Sequence, residues 1–181
     1  SEVWKAYEEL TSGPKDTVGW LLNLYRDSER FKELSPKSQS DYSKAIDKLI
    51  GAPVGAIRFG DAKLTQVKKQ TVRSYLDAYP SPVAANRQIA VLKSAWNWTL
   101  ERYEVPDNPC LGVRLNRESA RDRYIKDEEL KGAMDLAPPP IQQMMELAYL
   151  LRARLSEVLN LTVDDVSDTH VTLRRLKGSE G

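Results

Sequence analysis

The residues best suited to chemistry on an anionic group are Arg154 and Glu157, which lie three positions apart. On a helix this spacing places both side chains on one face, where the carboxylate could hold the guanidinium in place. A guanidinium donates to two oxygens at once and keeps its charge, which suits it to phosphate. On spacing alone, an exposed ion pair worth about 0.2–0.5 kcal/mol remains an open alternative.

Other catalytic signatures are absent from the sequence. One histidine and one cysteine cannot build a zinc site of the usual kind, and no glycine-rich phosphate loop is present. We therefore expect no metal and no cofactor. His170 is interpreted as structural, and Cys110 as a small buried apolar residue.

Polar residues in three places are candidates for contact with double-stranded DNA. One group shares a face of the longest predicted helix, a second lies at a helix N-terminus, and a third lies in a polar segment. The alternative for each is a solvated surface. Net charge is +1 overall, divided as +3 in residues 1–116 and −2 in 117–181, which is weak support. The three groups are Asn86, Arg87, Lys93 and Asn97; Lys37, Ser38 and Lys44; and Arg117, Arg121 and Arg123.

Apolar residues at helical spacing predict the elements that would position these side chains. Ser35-Pro36 and Ser81-Pro82 each place a cap before proline at the first helical position. Gly51, Pro53 and Gly55 predict a loop. The first four predicted helices run over 17–33, 36–50, 67–79 and 82–103, with Trp96 inward in the last.

The second half of the chain begins after a polar stretch with little apolar content, 114–123. We interpret this stretch as a linker with few side chains to hold it down. Acidic residues at 127–129 suit the start of a helix. Prolines 138–140 interrupt the pattern, further helices follow over 141–151 and 154–161, and alternation over 170–176 predicts a strand with a turn at Lys177-Gly178.

The chain has 181 residues, enough for one domain or two small ones. No apolar run approaches the length of a membrane span, there is no signal-peptide pattern, and no internal disulfide can form, so we expect a cytoplasmic protein without membrane contact. The chain begins at Ser1 rather than Met and ends in Lys-Gly-Ser-Glu-Gly, so we expect it to be part of a longer protein.

The segment 148–166 resembles the first catalytic block of tyrosine-type site-specific recombinases of the phage integrase family. That block reads Thr-Gly-x-Arg-x-x-Glu, followed by two apolar residues, x-Leu, and then Asp-apolar four residues on. Arg154, Glu157, Leu161 and Asp165-Val166 fall in register with it. Lys177 matches the family's lysine in a β-turn after a short basic strand.

The resemblance extends upstream over most of the chain. Ser35 to Ser38 with Tyr42 resemble the family's second core-binding helix, and Asn86-Arg87 with Asn108-Pro109 resemble the last core-binding helix and its exit. Residues 124–130 resemble the start of the catalytic domain.

The resemblance implies a mechanism without metal or cofactor. In the family a tyrosine attacks a DNA phosphodiester, an arginine stabilises the charged transition state, and a lysine protonates the leaving oxygen. Arg154 and Lys177 match these two roles, and Glu157 would support Arg154. Two departures are Leu151 and Arg152, where the family often has Thr and Gly. The chain also lacks the family's His-x-x-Arg block and a tyrosine in the nucleophile's context.

The resemblance thus predicts a mainly α protein: a helical, SAM-like core-binding bundle over 1–116, a linker over 117–123, and a truncated α+β catalytic domain over 124–181. The whole enzyme would integrate or excise a mobile element, assemble as a tetramer on DNA and use accessory DNA-bending proteins, whereas this chain alone would bind DNA without cleaving it. The alternatives are a helical DNA-binding regulator without catalysis and a helical protein-interaction module.

Overall fold

The structure is a computed structural model that describes residues 15–120 and 122–173. Lys177 and Arg121 therefore lie outside the described residues. The chain divides into two compact units, Ser1–Ala120 and Arg121–Gly181. Across the described ranges, no helix combines the length and the apolar character needed to cross a membrane.

The first unit consists of five helices, a small hairpin and two short 3₁₀ turns in its described part. Helices α1 (Val18–Arg26), α3 (Pro36–Gly51) and α5 (Pro82–Leu100) pack against one another, and α4 (Lys69–Ala78) packs on α5. The 3₁₀ turns cover Phe59–Asp61 and Leu64–Gln66. The elements are α1 (Val18–Arg26), α2 (Glu29–Lys32), α3 (Pro36–Gly51), β1 (Pro53–Val54), β2 (Ile57–Arg58), α4 (Lys69–Ala78) and α5 (Pro82–Leu100).

Hydroxyl side chains begin four of these helices. Ser35 and Ser81, each followed by proline, accept the N–H of Ser38 and Ala84, as their sequences predict. Thr17 caps α1 in the same way. The predicted single helix over 17–33 is wrong, because Ser28 adopts an extended backbone and caps a new helix, α2.

The core of the first unit lies between α1, α3, α4 and α5. Trp96 is fully buried, as predicted, and its indole Nε1–H donates to the Pro106 carbonyl at 2.8 Å. Phe59 stacks on Tyr75. The predicted loop at 53–55 is the first part of a hairpin in which Pro53 pairs with Arg58 and Val54 with Ile57. Cys110 is buried, as expected.

The polar stretch after Val113 differs from the predicted free linker. Residues 114–118 lie against α4 and α5, where Arg73 and Asn86 donate hydrogen bonds to them. The attachment uses amide and guanidinium groups instead of apolar side chains, so hydrophobic patterning could not reveal it.

The described part of the second unit contains three helices and one 3₁₀ turn. These are α6 (Asp127–Asp135), α7 (Pro139–Leu151), α8 (Leu155–Leu159) and the turn Val163–Asp165. The prolines interrupt the helical pattern as predicted, because no helix covers residues 136–138. Helix α7 begins at Pro139, two residues before the predicted start, since proline fits the first turn of a helix.

Helix α7 ends in a left-handed residue, Arg152, with φ 49°. The Ala153 N–H donates to the Ala148 carbonyl at 3.0 Å, and the Arg152 N–H donates to the Tyr149 carbonyl at 3.3 Å. This pair of bonds is a Schellman motif, which usually places glycine at the left-handed position.

Few side chains are buried in the described part of the second unit. Val158, Glu157 and Asp165 are buried, whereas many large apolar side chains of α7 and α8 face solvent. Of the predicted strand 170–176, the described residues show one bridge, from Val166 to Val171, and residues 174–176 lie outside them.

Candidate nucleic-acid interface and arginine site

A groove of about 820 Å³ lies between α3 and α5. It brings together Lys37 and Lys44 from one helix and Arg87 from the other, three residues that the sequence placed in two separate groups. Lys48 lines the same groove and was missed. Its spacing from Lys37 and Lys44, eleven and four positions, puts all three on one helical face and could have revealed it.

The groove carries a net positive charge. Four cations line it against one carboxylate, that of Asp41. Asp41 accepts an ion pair from Lys37 at 3.0 Å, and both side chains are exposed, so the pair is weak and solvent-screened. Lys44, Lys48 and Arg87 are also exposed. A groove walled by exposed cations on two helices fits the phosphates of a nucleic-acid backbone.

Ser38 stands apart from these cations. It is half-buried, and its N–H donates to the Ser35 hydroxyl at 3.2 Å, so the cap already uses this first-turn donor. Its hydroxyl accepts from Ser35 at 2.9 Å.

The predicted polar face of α5 is only partly exposed. Lys93 and Asn97 are exposed, and Asn97 accepts a hydrogen bond from Asn108 at 2.7 Å. Asn86 is only 4% exposed, because its amide binds the segment 116–118. The structure therefore corrects the expectation that Asn86 lies on an exposed face. For Arg87, Lys93 and Asn97, contact with DNA stays a prediction.

The arginines after residue 116 lie in different settings. Arg117 is exposed, between the attached residues Asn116 and Glu118. Arg123 is exposed in the second unit and pairs with Glu129 at 2.7 Å.

In the second unit, Arg154 and Glu157 contact each other as their spacing predicts. Glu157 Oε1 accepts from the guanidinium at 3.3 Å, and Oε2 accepts the Arg154 backbone N–H at 2.8 Å. The carboxylate thus caps α8 and holds the arginine side chain from the same position. The Glu157 side chain is 7% exposed, whereas that of Arg154 is 63% exposed. Most of the guanidinium is therefore exposed and can face an anion.

A second carboxylate repeats this arrangement a few residues on. Asp165 Oδ2 accepts the Thr162 N–H at 2.9 Å and the Thr162 hydroxyl at 2.7 Å. It is buried and orders the turn that follows α8. Asp165, which the sequence motif places in register, therefore has a structural role here.

His170 and Cys110, which the sequence analysis interpreted as non-catalytic, lie in different surroundings. His170 is exposed, and its Nδ1 lies 2.8 Å from the Ser167 hydroxyl. Burial raises the pKa of the Cys110 thiol to about 12, against a smaller opposing effect of Lys93. Within the two described ranges, no group of three His, Cys, Asp or Glu residues could hold a metal ion.

Comparison with solved structures shows which fold the chain has. No protein-family model matches the chain, and no curated protein matches it. A lambda integrase dimer bound to a COC′ core site matches 98% of this chain and 50% of its own, with TM-score 0.74 and 17% identity. A lambda integrase tetramer bound to a Holliday junction matches 97% of this chain and 56% of its own, with TM-score 0.74 and 19% identity.

These matches establish an integrase-like, mainly helical fold, which confirms the predicted fold class. The chain spans about half the length of the structures it matches.

Proposed function

We propose that this chain binds double-stranded DNA through the groove between α3 and α5, as part of a tyrosine-type site-specific recombinase. The observation that carries the proposal is the convergence of Lys37, Lys44, Lys48 and Arg87 on one groove. Both matched lambda integrase structures hold DNA, which supports the same class of ligand here.

Within this proposal Arg154 is a catalytic residue and Glu157 positions it. The guanidinium would stabilise negative charge on the phosphate in the transition state, and the buried carboxylate would keep it in place. Lys177, as the resemblance implies, would protonate the leaving oxygen. Arg117, Arg121 and Arg123 would follow the phosphate backbone between the two domains, 1–116 and 124–181.

The remaining parts of the proposal concern the whole enzyme. It would integrate or excise a mobile element and assemble as a tetramer, with accessory DNA-bending proteins. One matched lambda integrase is a tetramer on a Holliday junction, which supports that assembly. The His-x-x-Arg block and the nucleophilic tyrosine would have to come from outside this chain. The chain alone would then bind DNA and form no covalent adduct with a nicked suicide substrate.

The groove is tested by duplex titration at several salt concentrations. Arg87→Ala and Lys44→Ala should each weaken binding and flatten the dependence of log K on log salt by about 0.9, the value for one lost phosphate contact. Lys131→Ala, which removes an exposed lysine of α6, is the matched control and should change neither. If the wild-type chain binds no duplex at low salt, or if Lys131→Ala has the same effect as Arg87→Ala, the groove is not the interface.

The catalytic assignment separates a recombinase from a DNA-binding regulator. In the longer protein, Arg154→Ala should lower the rate of DNA cleavage by about 10²–10³, the scale of losing one transition-state donor, with DNA affinity nearly unchanged. Cleavage on a suicide substrate, measured as covalent adduct, reports this rate. Near-normal cleavage by the variant would show that Arg154 has no catalytic role.

A further inference from the structure

The segment that leaves the first unit is attached by a buried amide. Asn86 Nδ2 donates to the Asn116 carbonyl at 2.8 Å and to Glu118 Oε1 at 2.7 Å. In return, Asn86 Oδ1 accepts the Asn116 N–H at 2.9 Å. All three side-chain hydrogen bonds of Asn86 go to residues thirty or more positions later in the chain.

A second set of bonds comes from α4. The Arg73 guanidinium donates to the Arg114 carbonyl at 2.7 Å and also to the side chain of Asn116. Asn116 Nδ2 in turn donates to the Leu76 carbonyl at 2.9 Å. Asp77 accepts a hydrogen bond and an ion pair from Arg73, which orients the guanidinium toward the segment.

These contacts act together. We call Asn86, Arg73, Asn116 and Glu118 the polar latch. Six hydrogen bonds tie the segment to three residues of α4 and α5, namely Arg73, Leu76 and Asn86, so opening the segment requires most of them to break at once. The segment's apolar contribution is small, because Leu115 is half exposed. The latch, and not hydrophobic burial, therefore decides whether 114–118 stays attached.

We propose that Asn86 is a positioning residue: through the polar latch it makes residues 114–118 a fixed extension of the first unit in the free protein, and so holds Arg117 in place before DNA arrives. The part that concerns DNA rests on the proposed function, whereas the part that concerns the free protein does not. Arg117 lies between the two latched residues, so its backbone is fixed on both sides.

The free protein is tested by brief trypsin treatment of the full chain. In Asn86→Ala the bond after Arg117 should be cut at least about tenfold faster than the same bond in the wild type, because cleavage follows the population of the opened segment. Glu118 follows Arg117 in every variant and so affects trypsin equally in each. Comparing the same bond between variants therefore removes this effect. Arg73→Ala removes the α4 half of the latch from an exposed position and should act in the same direction.

The matched control is Asn108→Ala. Asn108 is also a buried asparagine with three hydrogen bonds, to the Lys93 carbonyl, the Asn97 side chain and the Cys110 N–H, but it holds 108–110 instead of 116–118. It should lower global stability comparably and leave the Arg117 bond as slow as in the wild type.

Amide hydrogen exchange gives a direct second readout. The Asn116 N–H should exchange slowly in the wild type and in Asn108→Ala, and quickly in Asn86→Ala, because its acceptor is the Asn86 side chain. If the Asn116 amide exchanges fast in the wild type, or if Asn86→Ala and Asn108→Ala speed the Arg117 cut equally, the latch is overturned.

Duplex titration tests the part that concerns DNA. Asn86→Ala should weaken duplex binding about three- to tenfold more than Asn108→Ala does. In Asn86→Ala the segment 114–118 must become ordered when DNA binds, and this lost entropy lowers the affinity. Equal affinities of the two variants would overturn that part of the proposal. If the wild type shows slow Arg117 cleavage but binds no duplex, the proposed function fails and the latch stands.

Discussion

Among the described non-glycine residues, Arg152 is the one with a positive φ. Its positive φ closes the Schellman motif that ends α7, two residues before Arg154. A left-handed conformation costs a residue with a Cβ about 1 kcal/mol, and glycine avoids that cost. Arg152→Gly should therefore raise the free energy of unfolding of the second unit by about 1 kcal/mol, as measured by urea denaturation.

The opposite substitution supplies the control. Gly112 has φ 75°, and a Cβ there would meet only the Lys69 ammonium at 3.5 Å, an ordinary contact. Gly112→Ala should cost about 1–2 kcal/mol through backbone strain alone. If both substitutions change stability in the same direction, the left-handed geometry is not the cause.

The buried thiol of Cys110 should make the stability of the fold depend on pH. Burial raises the pKa of its thiol from 9.0 to about 12, so the folded chain keeps a proton between those values that the unfolded chain releases. The thiol's contribution to stability is complete below pH 9 and is lost as the pH rises toward 12. At pH 8, alkylation of Cys110 should be at least about tenfold slower in the folded protein than in denaturant, as mass spectrometry would show. Equal rates would mean that the thiol is accessible.

At this scale the sequence predicted local pairs and missed distant ones. The contact between Arg154 and Glu157 was predicted from a spacing of three, and in the structure Arg154 is the N-cap of α8 and Glu157 its third residue, so the pair forms a capping box. Asn86 was expected at the surface because it shares a face with Lys93 and Asn97, opposite the apolar stripe of its helix. Its partners lie thirty residues or more away in the chain, where no periodicity connects them to it.

Among the elements, the close approach of α1 to the turn at Phe59–Asp61 depends on Gly19. A Cβ on Gly19 would stand 2.9 Å from the Gly60 carbonyl oxygen, a backbone atom that cannot rotate away. Gly19→Ala should therefore destabilise the first unit by about 1–3 kcal/mol through overpacking, measured by thermal unfolding.

Gly51 provides the comparison, because a Cβ there meets nothing within 4 Å. As the last residue of α3, Gly51→Ala should stabilise the first unit by about 0.5 kcal/mol. A destabilisation by Gly51→Ala equal to that of Gly19→Ala would show that helix packing is not what the glycine at 19 permits.

Elements with strong local signals were predictable and irregular ones were not. The Ser-Pro pairs at 35–36 and 81–82 marked two helix starts correctly. The break at Ser28 was hidden because apolar residues continue at helical spacing on both sides of it. The hairpin at 53–58 was missed because its strands have two residues each, too few for an alternating pattern.

For the whole molecule, the two units differ sharply in buried apolar area. The hydrophobic core cluster lies entirely in the first unit, whereas in the described part of the second unit Val158 is the one buried large apolar side chain. Amides of α1, α3 and α5 should thus exchange at least about 100-fold more slowly than those of α6, α7 and α8. Uniform protection across both units in hydrogen-exchange mass spectrometry would contradict this difference.

The mainly helical fold was predictable at this scale, because apolar spacing and capping residues predict most of the helices. The composition gave little sign of a positive groove, because a net charge of +1 does not reveal where the cations lie. Folding brings Arg87 of α5 beside Lys37, Lys44 and Lys48 of α3, and Asp41 is the one carboxylate that lines the same groove.

The exposed apolar side chains of the second unit affect how readily the isolated chain self-associates in solution. They include Leu147, Leu150, Leu155 and Leu159, all open to water in the described structure. Contiguous apolar surface makes molecules adhere to one another, and a net charge near zero supplies little repulsion to oppose it. In solutions of the isolated chain, light scattering per unit of protein concentration should rise with concentration. The fluorescence of a hydrophobic dye should also increase. Modest concentrations of arginine or detergent should reverse both effects.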